Sequence, residues 1–167
     1  MYCQTADFLA KKVLAKLDSG GLDPLPLARP SVATIDLCRT LSTSAAAALL
    51  LTTSADAVSE GFGNQCLWNG GAYGLSADAT VSTEYSQTHA EATTVDGHRL
   101  IPPTAPVTAE SPSCTYASPQ GHIAVDNGEE FITVTATAAN ADKADLNQLC
   151  RIARHASVAI LTNAGLR

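Results

Sequence analysis

The sequence predicts an α+β domain: an antiparallel sheet with helices packed on one face, tied by two disulfides. Three observations carry that expectation. Helical periodicity is confined to the two ends of the chain and to a short stretch near residue 45, whereas the middle alternates as strands do. Alternation leaves one face of the sheet wet, which suits antiparallel pairing better than a doubly covered parallel sheet. The five cysteines, Cys3, Cys38, Cys66, Cys114 and Cys150, stand far apart with no CxxC among them, the pattern of staples rather than of a metal site.

Thr5 to Leu17 places Phe8, Leu9, Val13, Leu14 and Leu17 at helical spacing, with Lys11, Lys12 and Lys16 on the other side and in the last turn. Asp18-Ser19-Gly20-Gly21 stops this amphipathic helix, and Leu22 to Ser31, with three prolines, reads as an extended linker. The expected organisation is therefore a helix over residues 1–22, a Pro-rich linker over 23–31 and an α+β domain over 32–167. A second helical region starts near Asp36, in which Ser42 or Ser44 is placed to cap Ala45 to Leu51 and two short pieces read as separate helices.

Short strands follow from Val58 onward. Gln65 to Trp68 is one; Leu75 to Tyr85 is the next, where Leu75, Ala77, Ala79, Val81, Thr83 and Tyr85 alternate with Ser76, Asp78, Thr80, Ser82 and Glu84. Val95 to Ile101 reads as a further strand, and Pro102, Pro103, Pro106 and Pro112 mark an irregular crossing to Cys114. Gly121 to Val125 and Glu129 to Ala138 flank Asp126-Asn127-Gly128, and an Asn-Gly pair between strand-like runs is the strongest short-range hairpin signal. Asp142 is placed to cap a long final helix in which Leu146, Leu149, Cys150, Ala153, Ser157, Ile160, Leu161 and Ala164 share a face.

Composition narrows the class of protein. Apolar residues make up 46% of the chain, but much of this is alanine and only 5% is aromatic. Small side chains bury little area each, at roughly 25 cal/mol per Å², so cross-links matter more here than in a Leu- and Phe-rich core. Charged residues are only 16%, and Ser and Thr take over the surface role, which favours an extracytoplasmic address. A net charge of -6 without clustered Lys or Arg argues against nucleic acid and against anionic membrane surfaces. The longest apolar stretch, Ala45 to Leu51, falls far short of the roughly 18 residues of a membrane span. No basic stretch followed by an apolar run and a small-residue cleavage site opens the chain, so the expectation is a mature or excised piece of an exported protein, with Met1 an added start.

Laying Cys3 over Cys150 puts Ala6 on Ala153, Val13 on Ile160 and Leu14 on Leu161, and both segments end in a Gly-Leu pair, Gly21-Leu22 and Gly165-Leu166. The plain alternative is that two alanine-rich helices match by chance. The sharper reading is a tandem array in which residues 1–22 close a preceding copy and residues 32–167 form a complete one. Cys3 would then have its partner in that other copy. The remaining four cysteines allow three connectivities, among which sequence alone does not choose. We favour Cys38 with Cys66 and Cys114 with Cys150, each closing a loop of roughly 30 residues and contributing about 3–4 kcal/mol in the chain-entropy model. Buried free thiols in a cytosolic protein are the alternative.

The order and spacing of Asp36-Leu37-Cys38-Arg39-Thr40-Leu41, Cys66-Leu67-Trp68, a lone Cys114 and Cys150 opening the last helix carry a resemblance. The chain resembles the actinobacterial cell-envelope lipoprotein domain of unknown function, in which an Asp-x-Cys-x-Leu-Leu opening precedes a Cys-x-Trp strand. It is also similar to the extracytoplasmic sensor domains of some actinobacterial serine/threonine kinases. The likeness covers residues 32–167 and implies an antiparallel α+β fold with two disulfides and a role in binding or sensing at the envelope, with no known reaction. The chain departs from the family in having no lipobox cysteine behind a signal peptide; Cys3 sits in a helix-like context instead.

Several constellations are candidates for chemistry. His89 and Glu91, and likewise Asp96 and His98, are two apart and would share a strand face, so the four are weak candidates to hold zinc; the plain reading is a solvated hairpin end around Asp96-Gly97. His89-Ala90-Glu91 supplies the H-x-E of a zinc deaminase, but Pro112-Ser113-Cys114 lacks the second cysteine of that signature. No serine sits in a G-x-S-x-G turn, and Gly61-Phe62-Gly63 and Gly70-Gly71-Ala72-Tyr73-Gly74 read as turns rather than phosphate cradles. No catalytic residue and no cofactor is implied.

Trp68, Tyr73, Tyr85 and Tyr116 are weak candidates to line a ligand cleft, although Trp68 beside Cys66 reads equally as packing over a disulfide. Arg151, Arg154 and His155 lie opposite the apolar stripe of the last helix and read as solvated. The leading expectation is a non-enzymatic, extracytoplasmic ligand-binding or sensor module of the cell envelope. It would take a small molecule or an envelope protein against the exposed sheet face or in a cleft beside it. A structural or assembly module within a repeat array is second, and a zinc-dependent or other hydrolase third.

Overall fold

The computed structural model describes residues 10–16, 18–19, 31–60, 63–82, 92–103, 112–122, 128–140 and 145–166. Residues 10–16 are helical, as the periodicity requires, but Val13 and Leu14 are 55% and 57% exposed. Phe8, Leu9 and Leu17, and Cys3 ahead of them, lie outside the described residues.

The chain enters the core at Ser31. Its hydroxyl accepts from the Ala33 amide to cap a 3-10 turn, Val32–Thr34, and donates to the Glu130 carboxylate. The Val32 amide reaches the other carboxylate oxygen at 3.3 Å. Ser31 and Glu130 are both buried, so this set of bonds satisfies polar atoms that water does not reach. A second 3-10 turn, Leu37–Arg39, carries Cys38, and the helix α1 (Thr43–Leu49) follows with Ser42 as its cap, accepting from the Ala45 amide. The two pieces are separate, as expected.

Seven strands of the described residues come next: β1 (Asp56–Glu60), β2 (Gln65–Gly70), β3 (Tyr73–Ser82), β4 (Thr93–Val95), β5 (His98–Leu100), β6 (Ser113–His122) and β7 (Glu129–Ala138). Five of them form one antiparallel sheet in the order β1-β2-β3-β7-β6, and β4 and β5 form a hairpin of their own. The helix α2 (Leu146–Asn163) closes the domain.

The residues explain which face each strand buries. Trp68, Leu75, Ala136 and Cys114 lie side by side across four strands, as do Cys66, Ala77, Val134 and Tyr116 one step along. This face is covered: α2 packs on β6 and β7, while α1 and the second 3-10 turn pack on β2. Ala77, Ala136, Ala153 and Ala156 are fully buried between the layers, and their small size lets helix and sheet approach closely. Cys38–Cys66 ties the 3-10 turn to β2, and Cys114–Cys150 ties β6 to α2, with Cα–Cα separations of 5.1 and 5.0 Å. The favoured pairing is the one present.

Four expectations need correction. Val95 to Ile101 is not one strand: Asp96 (φ 50°) and Gly97 (φ 86°) reverse the chain between β4 and β5. Such a two-residue turn needs two left-handed residues, and Asp-Gly supplies them. Ile101 then bridges to Ala117 on the far side of β6. The first strand of the last hairpin starts at Ser113 rather than at Gly121; Gly121 and His122 belong to it, and residues 123–125 lie outside the described residues. Its Ser, Thr, Pro and Gln hide the strand signal, and a register shift between Pro119 and Gly121 accommodates the proline on this outer strand.

The cap of α2 is Asp145, which accepts from the Asn147 and Gln148 amides; Asp142 lies outside the described residues. The buried stripe of α2 is also rotated from the expected one. Leu146 is 46% exposed, whereas Ile152 and Ala156 are buried, because Cys150 stands at the flank of the stripe to reach Cys114 rather than at its centre. β1 is an addition, a short outer strand whose five residues are all exposed.

The helices α1 and α2 end in the same hydrogen-bonded motif. In α2, Leu166 N–H donates to Leu161 and Gly165 N–H to Thr162, with Gly165 at φ 70° and Leu166 buried. In α1, Thr52 and Leu51 donate to Ala47 and Ala48, but the left-handed position is Leu51, at φ 57° and 67% exposed. Leucine there costs about 1–2 kcal/mol.

Candidate functional site

Because side chains alternate along a strand, the residues between those of the core point to the opposite face of the sheet. Leu67, Ser76, Thr135 and Thr115 form one row across β2, β3, β7 and β6; Gln65, Asp78, Thr133 and Ala117 form the next; Asn69, Gly74, Thr137 and Ser113 form a third. Asp56, Val58 and Glu60 of β1 extend these rows at the edge. Among the described residues the helices α1 and α2 pack on the other face, and this one is covered at one end, where Ile101, Ala117 and Phe131 form a small buried cluster.

The open face is built of hydroxyl, amide and carboxyl groups. Thr115 and Thr135 share a hydrogen bond of 2.8 Å between their hydroxyls, and the Thr133 hydroxyl leans toward the Asp78 carbonyl at 3.5 Å. The five strands contain no lysine or arginine, yet Glu60 and Asp78 lie in the row of Gln65, and Asp56 stands two rows along at the β1 edge. Burial pushes the Asp78 carboxyl above its ordinary value; hydrogen bonds from Gln65 and Ser76 oppose the shift, and the charge of Glu60 adds to it. A polar, uncharged or cationic ligand suits such a surface, and an anion does not.

The aromatic candidates are not on this face. Trp68 is fully buried against the core, and its indole N–H donates to the Leu41 carbonyl at 3.2 Å. Tyr73 and Tyr116 are half-buried on the same covered face. These three therefore do not converge on an open cleft; they fill space between sheet and helices. Tyr85 lies outside the described residues.

Of the zinc candidates, Asp96 is exposed at the β4–β5 turn and His98 is buried beside it. His98 Nε2 lies 3.0 Å from the Thr162 hydroxyl, so the hairpin is pinned to the end of α2, and the solvated hairpin end expected here holds for Asp96 but not for His98. His89 and Glu91 lie outside the described residues, and among the described residues no group of three or more His, Cys, Asp or Glu is placed to hold a metal. Cys114 is committed to its disulfide, which removes the thiolate a deaminase-type site would need. Arg151, Arg154 and His155 are exposed, as expected.

The exposed sheet face was the expected place for a ligand, but the sequence reading did not name the threonines that build it. Its signal was present in Thr133, Thr135 and Thr137, which occupy alternate positions of β7 between Ile132, Val134 and Ala136. Two recesses flank the sheet. One of about 550 Å³ is lined by Asp96, His98, Thr162 and Leu166, and another of about 530 Å³ by Thr34, Asp36, Ser59 and Gly63. No helix among the described residues is long and apolar enough to cross a membrane. No family model, curated protein or solved structure matches the chain.

Proposed function

We propose that residues 32–167 form a non-enzymatic binding or sensor module of the cell envelope, which takes its ligand on the open face of the five-stranded sheet. One observation carries this reading: among the described residues the five-stranded sheet has one face closed by helices and two disulfides, while the other presents half-buried threonine, serine, glutamine and aspartate side chains and is covered at one end by Ile101, Ala117 and Phe131. Disulfides persist in oxidising compartments, which supports an extracytoplasmic address. The absence of lysine and arginine from all five strands makes the ligand polar and uncharged or cationic. Its chemistry then fits an envelope saccharide or a basic segment of an envelope protein.

Amide chemical-shift mapping tests the reading. Soluble envelope saccharides and lysine-rich peptides are titrated into the labelled domain. Shifts centred on Gln65, Ser76, Asp78, Thr133 and Thr135, abolished by Thr135→Arg, are expected. Shifts confined to the helical side, or binding that survives Thr135→Arg, would sink it.

A further inference from the structure

We propose that the sequence of residues 2–17 repeats that of the final helix, and that the apolar face of the described helical residues 10–16 belongs on the sheet of another unit of this fold. Cys3 is then bonded to that unit's counterpart of Cys114. The burial pattern of α2 carries the argument. When Cys3 is laid over Cys150, no buried position of α2 falls opposite a charged residue of the first segment. Asp7, Lys11, Lys12 and Lys16 fall opposite Arg154, Val158, Ala159 and Asn163, none of which is buried.

The register is specific. A shift of one residue either way sets Lys12 against the fully buried Ile160, or Asp7 and Lys11 against the buried Ala153 and Ser157. Side-chain volume is matched as well. Ile152 and Ala156 are one turn apart on the buried stripe, and Thr5 and Leu9 replace them with the bulk moved from the first position to the second.

Exposure completes the case. Ile160 and Leu161 are 0% and 1% exposed against the sheet, while their counterparts Val13 and Leu14 are 55% and 57% exposed. The covered face of this sheet already holds α2, so it has no room for a second helix of the same kind. The partner is therefore another unit with the same sheet and the same cysteine on its outer strand, continuing the interface that α2 makes here. This inference is independent of which surface binds a ligand.

Three measurements test it. Grafting residues 3–17 in place of residues 150–164 should give a domain that unfolds cooperatively, with the grafted cysteine bonded to Cys114, whereas a graft displaced by one residue should not. Equal behaviour of the two grafts, folded or unfolded, overturns the proposal. In the intact chain, the double variant Val13→Asp, Leu14→Asp should leave the thermal midpoint of the domain within about 3 °C of the parent; a larger fall would assign the helix to this domain's own core. A non-reducing peptide map of the secreted protein should join Cys3 to a cysteine of a second unit at the position Cys114 holds here. Cys3 joined to Cys38, Cys66, Cys114, Cys150 or another Cys3, or alkylated without reductant, refutes it.

Discussion

The covered and open faces of the one sheet are made by alternate residues of the same strands, yet they follow different rules. On the covered face Trp68, Leu75, Ala136 and Cys114 are almost wholly withdrawn from water and held by packing and a cross-link. On the open face their immediate neighbours Leu67, Ser76, Thr135 and Thr115 remain half-buried, and the hydroxyls of Thr115 and Thr135 share a hydrogen bond. The core is leucine and isoleucine around Trp68, with alanines where helix and sheet meet, a departure from the small-residue core that the composition predicts, and both cross-links lie on this covered side. The open side, away from the buried Phe131 and Ala117 at one end, is held by fewer apolar contacts. Such a division suits a binding scaffold.

The largest test of this contrast lies within β2. Trp68→Ala should cost about 3–5 kcal/mol in chemical denaturation, because it opens a cavity and leaves the Leu41 carbonyl without its donor. Leu67→Ala, one residue away, should cost about 1 kcal/mol. Similar losses at the two positions would erase the distinction between the faces.

Removing a staple comes next. Cys114→Ser with Cys150→Ser releases a loop of 36 residues and should lower stability by about 3–4 kcal/mol, with amide exchange in α2 rising before that of β1 and β2. Exchange that rises evenly over the domain would mean that the bond does not secure α2 in particular. On the open face, Thr135→Val should change stability by less than about 1 kcal/mol as read from the urea midpoint, since it removes one hydroxyl pair and adds apolar surface.

The smallest effect concerns pH. The Asp78 carboxyl holds its proton more tightly in the folded protein than in the unfolded chain. As pH rises past about 4, the folded state is therefore the one that still binds a proton, and stability falls until pH exceeds the raised value. Asp78→Asn removes this decline. The variant should gain on the parent from about pH 4 upward and match its trend below; a parallel pair of stability curves would show that the burial of Asp78 has no energetic consequence.

Much of the fold was legible because it rests on local patterns. β7 was read with its full extent, since Phe131 to Ala138 alternate cleanly and Asn127-Gly128 precedes them. β6 was not, because its outward positions are Ser, Thr, Ala and Pro, which no periodicity separates from a loop. The aromatic residues were read as rim candidates from their chemistry, but Trp68, Tyr73 and Tyr116 share the covered face through cross-strand register, which depends on pairings remote in sequence. The Thr-rich site was written in β7, yet its meaning depends on Thr115 arriving beside Thr135 from the neighbouring strand.

The sequence by itself determined the α+β class, the polar alternate face of the sheet and five cysteines set too far apart for a CxxC metal site, while their pairing is settled only where the bonds are seen. These follow from the spacing of residues and from the redox chemistry of thiols, which need no knowledge of neighbours in space. Only the tertiary structure decided that β7 lies between β3 and β6, that α2 turns Ile152 and Ala156 inward, and that Val13 and Leu14 stay exposed while Ile160 and Leu161 are buried. Those outcomes depend on which surfaces meet after the chain closes on itself, because a helical stripe specifies that something must cover it and leaves open what that is.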